Sequence, residues 1–112
     1  MVMSDYKIGE FEEIVMYTVG ILHGNAYGVT IKDEIENRVK RKVSIGALQV
    51  TLRRLEKKGL LSSDQGETED ARRGRPKLFF SLTATGKNVL VNIRNNRNQL
   101  WDALPKVVID LR

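Results

Sequence analysis

The stretch Ser44–Gly59, SIGALQVTLRRLEKKG, followed by Leu60 and Leu61, decides how the rest of the chain is read. Wound at about 3.6 residues per turn, Ile45, Leu48, Leu52 and Leu55 fall into one apolar stripe, with Gly46, Val50, Arg53 and Lys57 on the opposite side. Ser44 suits the N-cap, because its hydroxyl can accept from the unpaired N–H groups of the first turn. Gly59 stands where a left-handed residue just past a helix is wanted. The pattern predicts a helix with both ends marked, one face in the core and a basic face open.

The open face begins with Gly46, Ala47, Gln49 and Val50 and continues with Arg53, Arg54, Lys57 and Lys58. Small residues let a helix lie close in a DNA major groove, Gln pairs bidentately with adenine, and an apolar tip meets a thymine methyl. Arg and Lys hold phosphate or guanine. These are the properties of a DNA recognition helix; the plainer alternative is a surface helix whose cations only keep it solvated. Gly46, Ala47, Gln49, Val50 and Arg53 are the candidate base-reading residues, and Lys42, Ser44, Arg54 and Lys57 are candidate phosphate contacts.

The chain's 112 residues suffice for one modest domain with a thin core, which an oligomer would help to complete. With no cysteine and one histidine, neither disulfides nor a thiolate or histidine metal site is expected. No apolar run is long enough to cross a bilayer, and MVMSDYK lacks the apolar segment of a signal peptide, so a soluble, cytoplasmic protein is expected. The net charge of +5 and the isoelectric point near 9.7 suit a polyanionic partner. Their distribution says more. Residues 1–39 hold three basic and seven acidic side chains, whereas residues 40–112 hold sixteen basic and seven acidic. The positive charge is densest in Lys40-Arg41-Lys42, in the helix just described, and in Arg72-Arg73-Gly74-Arg75-Pro76-Lys77.

Working outward, Phe11, Ile14, Val15, Thr18 and Leu22 share one face of a helix expected over 8–22, while Met16, Val19 and Ile21 are apolar on other sides. A helix apolar nearly all round needs a second surface to meet, which points to a subunit interface. His23-Gly24 ends it, and Tyr27, Ile31, Ile35 and Val39 mark a second helix at spacing four. Two short helices joined by a few residues, the second bearing the basic face, form the helix-turn-helix pattern. Beyond Gly59, Leu60–Asp64 and Leu78–Leu82 read as strands, and the polar run 65–77 as a long hairpin loop with arginines towards its tip, a wing. Arg72, Arg73, Arg75 and Lys77 join the candidate phosphate contacts. Thr83 can cap a last helix, in which Leu90, Ile93, Arg97, Leu100 and Leu104 alternate spacings of three and four, a coiled-coil seam with one polar position. Pro105 stops it.

The expected fold is mainly α with a small β-hairpin: a winged helix-turn-helix over residues 1–82 and a C-terminal dimerisation helix and tail over 83–112. The candidate dimer contacts are Phe11, Val15, Val19, Leu90, Ile93, Leu100, Trp101 and Leu104.

With Tyr27-Gly28, Gly46-x-Leu48, Leu52-x-x-Leu55-Glu56-x-x-Gly59-Leu60, Gly74-Arg75-x-Lys77 and Leu82-Thr83-x-x-Gly86 in place, the sequence resembles the PadR family of winged-helix transcriptional regulators, over roughly residues 8 to 90. The resemblance implies a dimeric bacterial repressor whose first and C-terminal helices meet across a two-fold axis. It also implies double-stranded DNA as partner. Many members carry Tyr where this chain has Gln49 or Val50, so the base-reading face is its own. The C-terminal part is short, as in the compact branch, some of whose members bind flat aromatic compounds between Trp residues at the dimer interface. Trp101, on the corresponding helix, marks where the resemblance would place a small aromatic effector.

A function from another class is a winged helix that docks an acidic protein surface without operator preference. Catalysis is not expected. Thr85-Gly86-Lys87 lacks the earlier glycine of a phosphate loop, no nucleophile–histidine set can be assembled, and the carboxylates lie on solvated faces. Neither a cofactor nor a membrane partner is expected.

Overall fold

A computed structural model describes residues 6–66 and 77–110. Its elements run α1 (Glu10–Ile21), α2 (Gly28–Val39), α3 (Ile45–Lys57), β1 (Leu61–Gln65), β2 (Leu78–Leu82), α4 (Ala84–Ala103) and the single turn α5 (Lys106–Ile109). The helix expected from residue 8 starts at Glu10, because Glu12 reaches back to accept from the N–H of Gly9 at 3.0 Å and so caps the chain there. Gly24 and Gly59 adopt the left-handed conformation, with φ of +81° and +77°. Ser44 caps α3, its hydroxyl accepting from the N–H of Ala47 at 3.2 Å, and Thr83 caps α4 in the same way from Gly86 at 2.9 Å.

The helices enclose one core. α1 contributes Val15, Met16 and Val19; α2, Ile31 and Ile35; α3, Leu48, Leu52 and Leu55. Leu60, Leu61 and Phe80 enter from the hairpin side, and Val89 and Leu90 from α4. Each such side chain, taken fully out of water, stabilises the fold by about 2 kcal/mol before its lost freedom is counted. Because α4 delivers Val89 and Leu90 to this core, residue 83 marks a change of element and not of core.

Three expectations are corrected by this packing. Val15, Val19 and Leu90, expected at a subunit interface, are 0%, 2% and 8% exposed inside the protomer. α2, α3 and the hairpin surround α1 on more sides than a lone helical face requires. Ile45, expected in the buried stripe of α3, is instead 46% exposed. Thr51 takes its place, its hydroxyl donating to the carbonyl of Ala47 at 2.9 Å so that no polar group is stranded. Val39, expected on the core face of α2, lies exposed at the helix end. Phe11 and Ile93 are half-buried against the core rim.

The two strands are antiparallel, Leu61 opposite Leu82 and Gln65 opposite Leu78. β2 has a second neighbour in backbone terms, since the N–H of Phe80 donates to the carbonyl of Ala26, just before α2, at 2.8 Å. α1 and α3 are clamped at one end by Glu12, which is nearly buried and accepts from the Lys58 ammonium at 2.9 Å. Burial opposes the charge on Glu12, but the Gly9 N–H and Lys58 outweigh it and hold its carboxyl below the ordinary glutamate range.

The first turn of α4 sits directly on the turn after α3. A Cβ on Gly86 would lie 2.1 Å from the carbonyl oxygen of Leu60, closer than any relaxation of a side chain could relieve. Gly86→Ala is expected to destabilise the fold by about 2 kcal/mol or more, read as a lower midpoint in urea with an unchanged slope. A midpoint equal to that of the unsubstituted chain would contradict this packing.

Candidate nucleic-acid interface

Four side chains of α3, Leu48, Thr51, Leu52 and Leu55, face the core. The others point away from it: Gly46, Ala47, Gln49, Val50, Arg53, Arg54 and Lys57 are all exposed. All five candidate base-reading residues therefore share one accessible surface, as do Arg54 and Lys57 of the candidate phosphate contacts. Val50 is 55% exposed and borders a shallow depression with Arg53, Arg54, Glu56 and Lys57. An apolar tip and several cations thus stand together on the helix. Glu56 interrupts them, although its carboxylate already accepts from the hydroxyl of Ser63.

At the other end of the helix, Lys42 and Ser44 are exposed on the connection from α2. The Ser44 oxygen caps the helix as an acceptor, which leaves its O–H able to donate to an anion. The connection is held by Val43, whose side chain is buried and whose N–H donates to Glu36 at 2.8 Å. That bond, with Lys32 at 3.2 Å, keeps the Glu36 carboxyl below its usual range. Arg41 turns the other way. Its guanidinium pairs with Glu10 at 2.9 Å and lies over the Phe11 ring at 5.5 Å.

The base of the hairpin is tied to the start of α2 by side-chain contacts that periodicity does not reveal. Tyr27 and Phe79 meet edge to face with centroids 5.3 Å apart. The Lys77 ammonium lies 4.5 Å from the centre of the Tyr27 ring and 3.5 Å from its hydroxyl. Phe79 also covers Gly66, where a Cβ would meet the ring at 2.2 Å. Lys77, a candidate phosphate contact, is thereby held on the same side of the molecule as Gln49, and both line a hollow of about 330 Å³ with Tyr27, Gly28, Val29, Ile45, Leu78 and Phe80. Arg72, Arg73 and Arg75 lie outside the described residues.

The remaining candidates lie at the far side. From Arg94 to Leu104 every residue of α4 and its end is exposed, with Leu100 at 72% and Trp101 at 59%. Leu100, Trp101, Leu104, Arg97 and Asn98 line an open groove of about 570 Å³. The seam divides at Arg97, which pairs with Glu13 of α1 at 2.9 Å. Before it, Leu90 and Ile93 pack on the protomer's own core; after it, Leu100, Trp101 and Leu104 are exposed. On α1, Tyr17 and Ile21, four residues apart, are also exposed. Neither is among the contacts that the sequence predicts, although Ile21 is apolar off the main face of that helix.

A helix-turn-helix whose second helix is followed directly by a two-stranded hairpin defines a winged helix-turn-helix. The chain belongs to the PadR-like family of transcriptional regulators, whose model matches residues 19–92. The first solved comparison is a PadR-like transcription factor from Bacteroides fragilis, 26% identical, with 82% of this chain and 84% of that one covered and a TM-score of 0.68. A PadR family transcriptional regulator from Eggerthella lenta is 24% identical, with 89% and 87% covered and a TM-score of 0.67. A complex structure of hsRosR is 22% identical, with 89% and 81% covered and a TM-score of 0.72. No curated protein matches this chain significantly. No helix among the described residues is long and apolar enough to cross a membrane.

Gly28 sets the room available to Gln49, since a Cβ there would stand 3.0 Å from the Gln49 side-chain nitrogen. Gly28→Ala should leave thermal stability unchanged or slightly raised, as alanine favours a helix. The same substitution should push the Gln49 amide aside and so alter which DNA sequences are enriched from a random pool. An unaltered enriched sequence would show that Gln49 does not act from this position.

Proposed function

We propose that this chain binds double-stranded DNA sequence-specifically as a homodimer and represses transcription by occupying its operator. The observation that carries this is the division of α3. One face is sealed in the core, while the other presents Gly46, Val50, Arg53 and Lys57 to solvent. In a major groove Gly46 and Ala47 allow close approach, and Gln49, Val50 and Arg53 read base edges. Arg54 and Lys57, with Lys42, Ser44, Lys77 and the wing residues Arg72, Arg73 and Arg75, hold phosphate. The wing arginines position the protein and carry no sequence information. Such a protein works in the cytoplasm, where its DNA is.

Dimerisation is supported by the apolar end of α4. Leu100, Trp101 and Leu104 form the surface for a second copy, and Tyr17 and Ile21 of α1 offer further exposed apolar side chains to it, with Phe11 and Ile93 half-buried. Two recognition helices related by a two-fold axis fit half-sites about 34 Å apart. The groove at Trp101, flat and apolar with Arg97 and Asn98 beside it, is where a small aromatic effector would enter between the subunits.

A footprint on the DNA upstream of the protein's own gene, repeated over a range of salt, tests the DNA reading. Two protected half-sites about one helical turn apart are expected, and Arg73→Ala or Arg75→Ala should lower the salt slope by about 0.9 per lost contact on every sequence. Protection without any preferred sequence, or binding to protein alone, would favour a protein-docking module instead. For the dimer, Leu100→Asp should sediment as a folded monomer and lose the two-site footprint. A wild-type chain that is monomeric at micromolar concentration would overturn it.

A further inference from the structure

A single exposed isoleucine needs no explanation, but Ile45 is not alone. It shares the hollow between the starts of α2, α3 and β2 with two more exposed apolar side chains, Val29 at 57% and Leu78 at 45%. Among the described residues all three are left about half exposed. The hollow also takes in Gln49 and Lys77, which are on opposite elements, α3 and the foot of β2. Resting on the DNA-binding function proposed above, any strand whose base is read by Gln49 and whose phosphate is held by Lys77 must pass over this hollow. What a nucleotide carries between its phosphate and its major-groove edge is a deoxyribose and, in thymidine alone of the four, a 5-methyl group. Both are apolar surfaces of the size the hollow admits.

We infer that Ile45 is a specificity-determining residue that recognises the 5-methyl group of a thymine, with Val29 and Leu78 receiving the sugar of the same strand. Ile45 lies in the first turn of α3, the part of a recognition helix that reaches deepest among base edges. Gln49, one turn further on and beside it, suits adenine. The half-site is therefore expected to place a thymine next to or near the adenine read by Gln49.

The test uses the full chain and a duplex enriched by it from a random pool, with deoxyuridine replacing each thymine in turn so that only a methyl group is removed. At one thymine per half-site the affinity should fall about fourfold, the effect of exposing one buried methyl group. Ile45→Ala should bind the thymine duplex about fourfold or more weakly and show no further loss with deoxyuridine at that position. Ile45→Val, which keeps the branched carbon, should retain part of the discrimination. An enriched duplex indifferent to deoxyuridine at every thymine overturns the inference and leaves DNA binding standing, as does an Ile45→Ala chain that discriminates as well as the unsubstituted one. If no duplex is enriched, the DNA-binding function fails and takes this inference with it. Indifference of the unsubstituted chain to deoxyuridine overturns the inference whether or not a variant folds, and the Ile45 variants separate the contact from one made by Val50.

Discussion

Four elements meet at the turn after α3, and the hydrogen bonds there set their mutual placement. The N–H of Leu60 donates to Leu55 at the end of the helix, and the N–H of Thr83 donates to Leu60 at 3.2 Å. The Thr83 hydroxyl donates to Gly59 at 2.7 Å while accepting from Gly86 at 2.9 Å. A single threonine therefore closes the hairpin, caps α4 and grips the C-terminal end of α3. The contact is possible only because Gly86 has no side chain to strike Leu60. The orientation of α3 relative to both the wing and the last helix depends on it.

From that junction the molecule presents two surfaces with different physical character. One is polar and cationic: the outward face of α3, the Lys42–Ser44 connection and Lys77. Its residues are held by short-range devices such as the Ser44 cap, the Val43–Glu36 bond and the stacking of Lys77 on Tyr27. The other is apolar and runs along the second half of α4. There, Leu100 and Trp101 remain exposed in a protein whose core is otherwise well filled, at an energetic disadvantage that a partner surface would remove. The Arg97–Glu13 pair lies at the division between the part of α4 that serves the core and the part that does not. With the Arg97 side chain 68% exposed the pair adds little stability, and it ties α4 to α1 at that point.

Much of the fold is legible in the sequence by itself. Ser44, Thr83, Gly24 and Gly59 mark helix ends through local chemistry that needs no neighbour, and the spacing of Leu48, Leu52 and Leu55 locates the buried face of α3. The imbalance of charge between residues 1–39 and 40–112 is likewise a property of the chain alone, as are the Tyr27-Gly28 and Leu82-Thr83-x-x-Gly86 signatures. What the tertiary structure alone decided concerns how far neighbours cover a face. Periodicity says that Val15, Val19 and Leu90 are apolar on particular sides, but only the arrangement of α2, α3 and the hairpin encloses them within one protomer. It groups Ile45 with Leu48, yet Ile45 opens onto a hollow between the starts of α2, α3 and β2, and Thr51 is buried instead. The reason is that spacing fixes the angle of a side chain about its own helix axis, whereas burial depends on where other elements end.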